Sequence, residues 1–237
     1  MPGIFEMNAT PKIKGGSILF APHPDDETLG CGGFLARRID EGNRMFVVVL
    51  TMGEKLFSSV LNIEDDPSPA EVCVIRREET KRATRILGLK PENLLFLDYE
   101  DGSLERQQHA VVERLVPILR DESPIEVVCT SEYEGHRDHI ATNEIVRRAC
   151  ARVGAETAIR HYITSLKQGV SIDRLPGRID IVDVRAYLPL KRKAIEQFQS
   201  HLGILSKRQT KPLDNFNRYL SGEETFIISQ GCPHDQA

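Results

Sequence analysis

Seven consecutive residues at positions 45–51 read Met-Phe-Val-Val-Val-Leu-Thr. Such an unbroken apolar run is typical of a parallel strand that is covered by helices on both faces. Shorter apolar runs lie at 17–20, 94–97 and 125–129. Segments with helical spacing of apolar residues alternate with them, at 27–42, 71–87, 105–120 and 139–153. This alternation predicts an α/β fold with one Rossmann-like, mostly parallel sheet in a three-layer α/β/α arrangement.

The rest of the chain continues the same pattern. Apolar runs at 159–164 and 179–184 predict two further strands, and the segment 188–201 predicts a helix. A last short apolar run lies at 226–228. There is no internal repeat and no convincing linker, so we expect a single domain over residues 1–237, with 1–15 and 231–237 as peripheral or flexible tails.

Composition and charge exclude several classes of protein. The formal net charge of −4 argues against a general nucleic-acid binder, which would carry a basic excess. No apolar stretch reaches the roughly 18 residues of a membrane span, and the amino terminus lacks the apolar core of a signal peptide. Five cysteines form no CxxC pair, so we expect buried free thiols in a cytoplasmic protein.

One segment does not follow the alternation of strands and helices. Residues 52–70 form a long polar connection that contains one glycine and two prolines. A connection of this length in a compact domain is often a lid or a substrate-binding loop, and a mobile insertion is the alternative.

Two polar clusters each follow a predicted strand. The run His-Pro-Asp-Asp-Glu at 23–27 comes after the first strand, and His-Arg-Asp-His at 136–139 comes after the strand at 125–129. Because the carboxyl ends of parallel strands lie at one edge of a sheet, we expect the two clusters to meet there. One histidine and three carboxylates within five residues are costly to bring together without a cation. The sequence therefore predicts a metal site.

The residue types in these clusters fit one kind of chemistry. Two imidazoles and one carboxylate with an open position are typical of a catalytic zinc site, and the same set can hold iron(II). A remaining carboxylate can accept a proton from water, and a remaining histidine can stabilise an oxyanion or protonate a leaving amine. The clusters indicate hydrolysis of an amide. Their spacing leaves open whether Asp25 or Asp26 is the metal ligand.

Each feature alone also has a structural interpretation. A pair of aspartates at a helix start is a common N-cap, and His-x-Asp-His at a helix start can be a solvated turn. The glycines at 30–33 loosely resemble a phosphate-binding loop, so a nucleotide-binding α/β module is an alternative from another class of function. They lack the GxGxxG spacing, and close packing of a helix on the sheet explains them better.

The two clusters resemble the PIG-L (LmbE-like) family of zinc-dependent N-deacetylases. The resemblance is carried by Ala-x-His-Pro-Asp-Asp-Glu at 21–27 and His-x-Asp-His at 136–139. Weaker similarities extend it over residues 15–230: Arg76-x-x-Glu79-x-x-x-Ala83 with Leu87-Gly88, Asp101-Gly102, Lys191-x-x-Ala194 with Ser200, and Glu224-x-Phe226. The resemblance implies that His23, Asp26 and His139 bind Zn²⁺, with Fe²⁺ or another divalent metal as the alternative.

The resemblance also implies the catalytic groups. Asp25 would be the general base. His136 would stabilise the tetrahedral intermediate or protonate the departing amine, and Asp138 would orient it. Arg76 would lie near the substrate and bind a hydroxyl or a phosphate, whereas its charged neighbours in the sequence would also suit an exposed helix face.

Two positions depart from the family pattern. Some members carry a tyrosine at the position of Glu134, and here Tyr133 is one residue away. His201 stands where glutamine is common. Both departures concern contacts with the oxyanion and the substrate more than contacts with the metal.

A function follows from the resemblance as an expectation. We expect an enzyme that removes the N-acetyl group from an amino sugar, such as an N-acetylglucosaminyl conjugate, and releases acetate and a free amine. An amidase acting on a thiol-sugar or another N-acyl conjugate is the alternative reaction. The expected partner is a small-molecule amino sugar, and the sequence does not indicate an oligomeric state.

Overall fold

The structure is a computed structural model that describes residues 15–154 and 157–229. Its strands are β1 (Ser17–Ala21), β2 (Met45–Thr51), β3 (Leu94–Tyr99), β4 (Glu126–Thr130), β5 (Ile159–Tyr162), β6 (Arg178–Asp183) and β7 (Glu223–Ser229). They form one sheet in the order β3-β2-β1-β4-β5-β7-β6, in which β7 runs antiparallel to both of its neighbours. The predicted mostly parallel sheet is confirmed. The predicted tails lie outside the described residues apart from Gly15, and the extent of the single domain stays a prediction.

Helices cover both faces of the sheet. They are α1 (Asp26–Asp40), α2 (Leu56–Leu61), α3 (Pro69–Ile86), α4 (Gln108–Glu122), α5 (Arg137–Val153), α6 (Leu188–Ile195) and α7 (Gln199–Leu202). Residues of β1 alternate between two cores: Ile18 and Phe20 pack with α4 and α5, whereas Leu19 and Ala21 pack with α1, α3 and α6. This confirms the three layers. Within the described ranges, no helix has the length and apolar character needed to cross a membrane.

The order of the strands fixes where a site can form. From β1 the chain winds outward through β2 and β3, and then returns to place β4 on the other side of β1. The parallel pairing of β1 with β4 sets Ser17 beside Glu126 and Leu19 beside Val128. The two strands therefore end together, and the loops that follow them flank the crevice where the strand order reverses.

Two predicted segments differ from the structure. The 52–70 segment is not a loop throughout, because it contains α2, whose Phe57 is buried in a small core with Ile63 and Val72. Its six-residue helix is too short for a periodic pattern to show in the sequence. The predicted helix at 188–201 is divided into α6 and α7, because Phe198 between them has a non-helical backbone.

Helix α1 is interrupted at Cys31, and a buried ion pair supplies hydrogen-bond partners for the N–H groups that follow the interruption. Cys31 has non-helical dihedrals, which leaves the N–H groups of the next turn without helical partners. The N–H groups of Gly33 and Phe34 donate to Oε1 and Oε2 of Glu224 at 2.8 and 2.7 Å. Lys191 Nζ donates to the same carboxylate at 2.6 Å. The late motif residues thus join α6 and β7 to the helix that follows the first polar cluster.

The glycines of α1 serve the packing of the helix. A Cβ atom built on Gly30 would lie 2.3 Å from a ring carbon of Tyr162, and one on Gly33 would lie 2.6 Å from Cβ of Val184. The interpretation of these glycines as packing residues is confirmed. Gly32 differs from them, because its Cβ would meet Lys191 at 3.4 Å, an ordinary contact.

We expect Gly30→Ala to lower the free energy of unfolding by about 1–3 kcal/mol, because the new methyl group overlaps a fully buried ring. Urea denaturation measures the change. The matched control is Gly32→Ala in the same helix, which should keep or slightly raise the stability. Equal effects of the two substitutions would contradict the packing argument.

Candidate active site

Asp25, the last residue of the loop between β1 and α1, has an unusual backbone conformation. Asp25 has a φ of 103°, a region that residues with a side chain rarely adopt. Its backbone N–H donates to Glu27 Oε2 at 3.1 Å, and the Thr28 hydroxyl donates to Oε1 of the same group at 2.6 Å. Burial raises the pKa of Glu27 to about 8. The Asp25 side chain makes no capping hydrogen bond, so the simple N-cap interpretation does not describe it.

The two polar clusters meet at the carboxyl ends of β1 and β4. Asp26 Oδ2 lies 3.1 Å from His23 Nδ1 and 3.2 Å from His139 Nε2. The ring of His136 lies 4.7 Å from that of His23 and 5.2 Å from that of His139, measured between centroids. One nitrogen from each of the three imidazoles lies within 4.8 Å of the others. The structure thus brings together the three predicted metal ligands and His136.

Two further carboxylates reach the other side of His23. Its Nε2 lies 3.2 Å from Asp101 Oδ1 and 3.3 Å from Asp138 Oδ2. Asp101 was not among the predicted site residues, although it follows β3 at the same edge of the sheet. The Asp138 carboxylate contacts His23 and accepts the Gly102 N–H at 2.7 Å, whereas the contact of Asp138 with His136 is made by its backbone N–H. That Asp138 orients His136 stays a prediction.

The charges in this cluster fit a bound cation. Burial alone would lower the pKa of His23, but hydrogen bonds to carboxylates, first that of Asp101, raise it well above its usual value. Burial also opposes the charge on His139, whereas the charge of Asp26 raises its pKa to about 9. The carboxylates around these imidazoles therefore favour a positive charge at this place. Imidazole nitrogens and carboxylate oxygens are donors that suit zinc or iron(II), so the residues present fit a divalent metal.

The Asp25 carboxylate contacts a residue of α3 and a residue of α7. Its Oδ2 lies 3.0 Å from Arg76 Nη2 and 3.5 Å from His201 Nδ1. Burial raises the pKa of Asp25 to about 7, although the charge of Arg76 opposes the shift. The interpretation of Arg76 as an exposed residue is wrong, because it is buried and also donates to the carbonyl groups of Gly53 and Pro24.

His136 is the most exposed of the three clustered histidines. Its Nδ1 accepts the N–H of Asp138 at 3.2 Å, so the neutral ring carries its hydrogen on Nε2. Burial lowers the pKa of His136, which favours this neutral form. A neutral ring with an Nε2–H can donate to a substrate oxygen.

His139 is supported from behind by Glu134. The buried Glu134 carboxylate lies 3.5 Å from His139 Nδ1, and the Thr164 hydroxyl lies 3.2 Å from the same atom. Glu134 also accepts the N–H of Ser165 at 2.8 Å and the Thr164 hydroxyl at 3.1 Å. With its hydrogen on Nδ1, His139 keeps the Nε2 lone pair that faces Asp26 available for a metal.

A cavity of about 310 Å³ opens onto these groups. His23, Asp25, Asp101 and His136 line the side that carries the cluster, and Arg76, His201 and part of α2 line the rest. The cavity is large enough for a sugar-sized ligand. A pocket here can therefore present a small molecule to a metal, a carboxylate and a neutral imidazole at once.

A family model described as PIG-L: GlcNAc-PI de-N-acetylase matches residues 18–150, which span both polar clusters. The chain belongs to the PIG-L family. Its relatives include a probable N-acetyl-alpha-D-glucosaminyl L-malate deacetylase 2 of Bacillus anthracis. The two sequences are 26% identical over 196 residues, which cover 82% of this chain and 83% of the relative.

Two solved structures show the breadth of this fold. The N,N'-diacetylchitobiose deacetylase of Pyrococcus horikoshii superposes with a TM-score of 0.70 at 24% identity, covering 91% of this chain and 84% of that one. GalB, the 4-carboxy-2-hydroxymuconate hydratase of Pseudomonas putida, has a TM-score of 0.64 at 20% identity, covering 95% and 99%. The fold is shared, and in the hydratase it carries another reaction.

The structure accounts for the departure of this PIG-L chain at position 134. Tyr133 does not substitute for the family tyrosine, since it lines a different cavity beside His161. No tyrosine is among the described residues that line the active-site cavity. Glu134 instead supports His139, which no motif in the sequence indicated.

We expect Glu134→Gln to weaken metal binding by roughly 10- to 100-fold, because the neutral amide no longer raises the basicity of the His139 ring. Competition with a chromogenic chelator measures the affinity. Glu79→Gln is the matched control, since Glu79 is an equally buried carboxylate that accepts hydrogen bonds from Ser200 and not from a clustered histidine. The two variants should differ, and equal affinities would contradict the support of His139 by Glu134.

Proposed function

We propose that this chain is a zinc-dependent hydrolase that removes the acetyl group from an N-acetylated amino sugar of the N-acetylglucosaminyl type. One observation carries the proposal most directly: Asp26 lies between His23 and His139, while Asp25 and His136 face the same cavity. The malate-conjugate and diacetylchitobiose deacetylases among its relatives act on substrates of this kind by name, which supports the choice of an amino sugar.

The metal and its ligands are part of the proposal. His23, Asp26 and His139 would hold the ion, and zinc is preferred because two imidazoles with one carboxylate are typical of catalytic zinc sites. A divalent ion supplies Lewis acidity toward the amide carbonyl and makes water easier to deprotonate. Elemental analysis of the purified protein distinguishes zinc from iron.

The residues around the ion would transfer protons and stabilise the intermediate. Asp25 accepts a proton as water adds to the acetyl carbon, and Arg76 holds that carboxylate in position. His136 donates its Nε2–H to the developing oxyanion. The bond between the acetyl carbon and the sugar nitrogen then breaks, the nitrogen receives the proton that Asp25 accepted, and acetate and a free amine leave.

The alternatives are separated by one assay. Acetate release from a panel of N-acetyl sugars, measured beside cleavage of thiol-sugar and other N-acyl conjugates, distinguishes a deacetylase from an amidase of the same fold. The nucleotide-binding alternative has lost its sequence support, because the α1 glycines pack against Tyr162 and Val184. If a nucleotide stabilises the protein and no N-acyl substrate is hydrolysed, the nucleotide-binding alternative is supported instead.

We expect Asp25→Ala to lower turnover by roughly 10²- to 10⁴-fold while the metal content stays unchanged, because the carboxylate acts on the proton and not on the ion. His139→Ala should lose the metal together with the activity. Acetate release and elemental analysis are measured on the same samples. The control is Asp121→Ala, on the exposed face of α4, which should change neither quantity. Turnover close to wild type in Asp25→Ala would reject this residue as the base.

A further inference from the structure

The wall of the cavity that faces the catalytic cluster is partly apolar. Helix α2 supplies Leu56, Ser59 and Val60 to it. Val60 is 64% exposed, whereas Phe57 of the same helix is buried. The apolar surface of Val60 is thus available at the cavity, and a ligand that covers it gains the burial of that surface.

The permanent cations at the cavity are already paired. Among the described lining residues these cations are Lys55 and Arg76. Lys55 Nζ lies 2.7 Å from Glu100 Oε1 and donates to the Asp101 carbonyl at 2.9 Å. Arg76 binds Asp25 and two carbonyl groups. A ligand carboxylate that approaches either cation therefore meets an acidic residue that is already bound to it.

The surroundings of Lys55 are acidic on balance. Its ammonium group is near three carboxylates, those of Glu54, Glu100 and Asp101. Glu54 Oε1 also accepts the backbone N–H of Asp101 at 2.8 Å, which fixes its negative charge at this rim. A ligand group that carries a carboxylate would meet repulsion here, and the penalty grows as water is excluded.

We propose that the group attached to the amino sugar in the substrate is uncharged and packs an apolar face against Leu56 and Val60. This inference rests on the proposed function and makes it more specific. In its preferred aglycone, this chain would then differ from the relative that is named for a malate conjugate, because malate is a dicarboxylate. The cavity selects the aglycone, while the cluster performs the chemistry.

The first test compares two substrates on the wild-type enzyme. Phenyl and malate glycosides of N-acetylglucosamine, with the same anomeric configuration, differ at the aglycone and share the acetamido group. We expect kcat/KM for the phenyl glycoside to exceed that for the malate glycoside by roughly 10-fold or more. A malate glycoside that is cleaved equally well or better overturns the inference.

The second test changes the wall. Val60→Lys should lower kcat/KM for the phenyl glycoside by about 10-fold, and raise it for the malate glycoside, since it removes apolar surface and adds a cation. The change should lie in KM, because the aglycone contact is the same before and during the reaction. Val60→Thr, which has a similar shape and no charge, should lower kcat/KM for the phenyl glycoside only.

Val74→Lys is the matched control for this wall. Val74 on α3 has the same 64% exposure and does not line the cavity. Its substitution should therefore leave kcat/KM for both glycosides unchanged. Thermal melting confirms that each variant is folded. Identical kinetics of Val60→Lys and Val74→Lys overturn the inference. If neither glycoside and no other N-acetyl sugar releases acetate, the proposed function itself fails, which is a different result.

Discussion

The carboxylate of Asp26, shared between the imidazoles of His23 and His139, is the interaction on which the rest of this structure depends. It joins the loop after β1 to the first turn of α5, and it does so where little water can stabilise separated charges. Buried carboxylates and imidazoles at this distance require either shared protons or a cation. The parallel pairing of β1 with β4 holds the two loops close enough for this requirement to arise.

Further charged groups hold Asp25 and His139 in position. Glu27 holds the unusual backbone of Asp25, Arg76 holds its carboxylate, and Glu134 faces the far nitrogen of His139. Glu27, Arg76 and Glu134 are all almost fully buried, where contacts with other protein groups replace contacts with water. The site is therefore preorganised by buried charged residues that hold Asp25 and His139 in place, which is how a small cluster keeps a fixed geometry.

The groups proposed for the chemistry and those proposed for the specificity come from different parts of the fold. The clustered residues follow β1, β3 and β4 at the carboxyl edge of the sheet, which the family motifs describe. The opposite wall comes from α2, inside a segment where the sequence showed no motif, and from His201 of α7, where the sequence departs from the family pattern. Such an arrangement lets one catalytic cluster serve different amino-sugar conjugates, because surface segments can change without moving the sheet.

The sequence by itself determined the sheet and the meeting place of the two clusters. Unbroken apolar runs that alternate with helical segments are typical of buried parallel strands, and parallel strands end at one edge. Only the tertiary structure decided that Asp138 faces His23, that Asp101 joins it, and that Arg76 is buried against Asp25. It also decided that α2 exists within 52–70. The reason is physical: periodicity reports which side of an element is buried, whereas the partner of a side chain depends on elements far away in the chain.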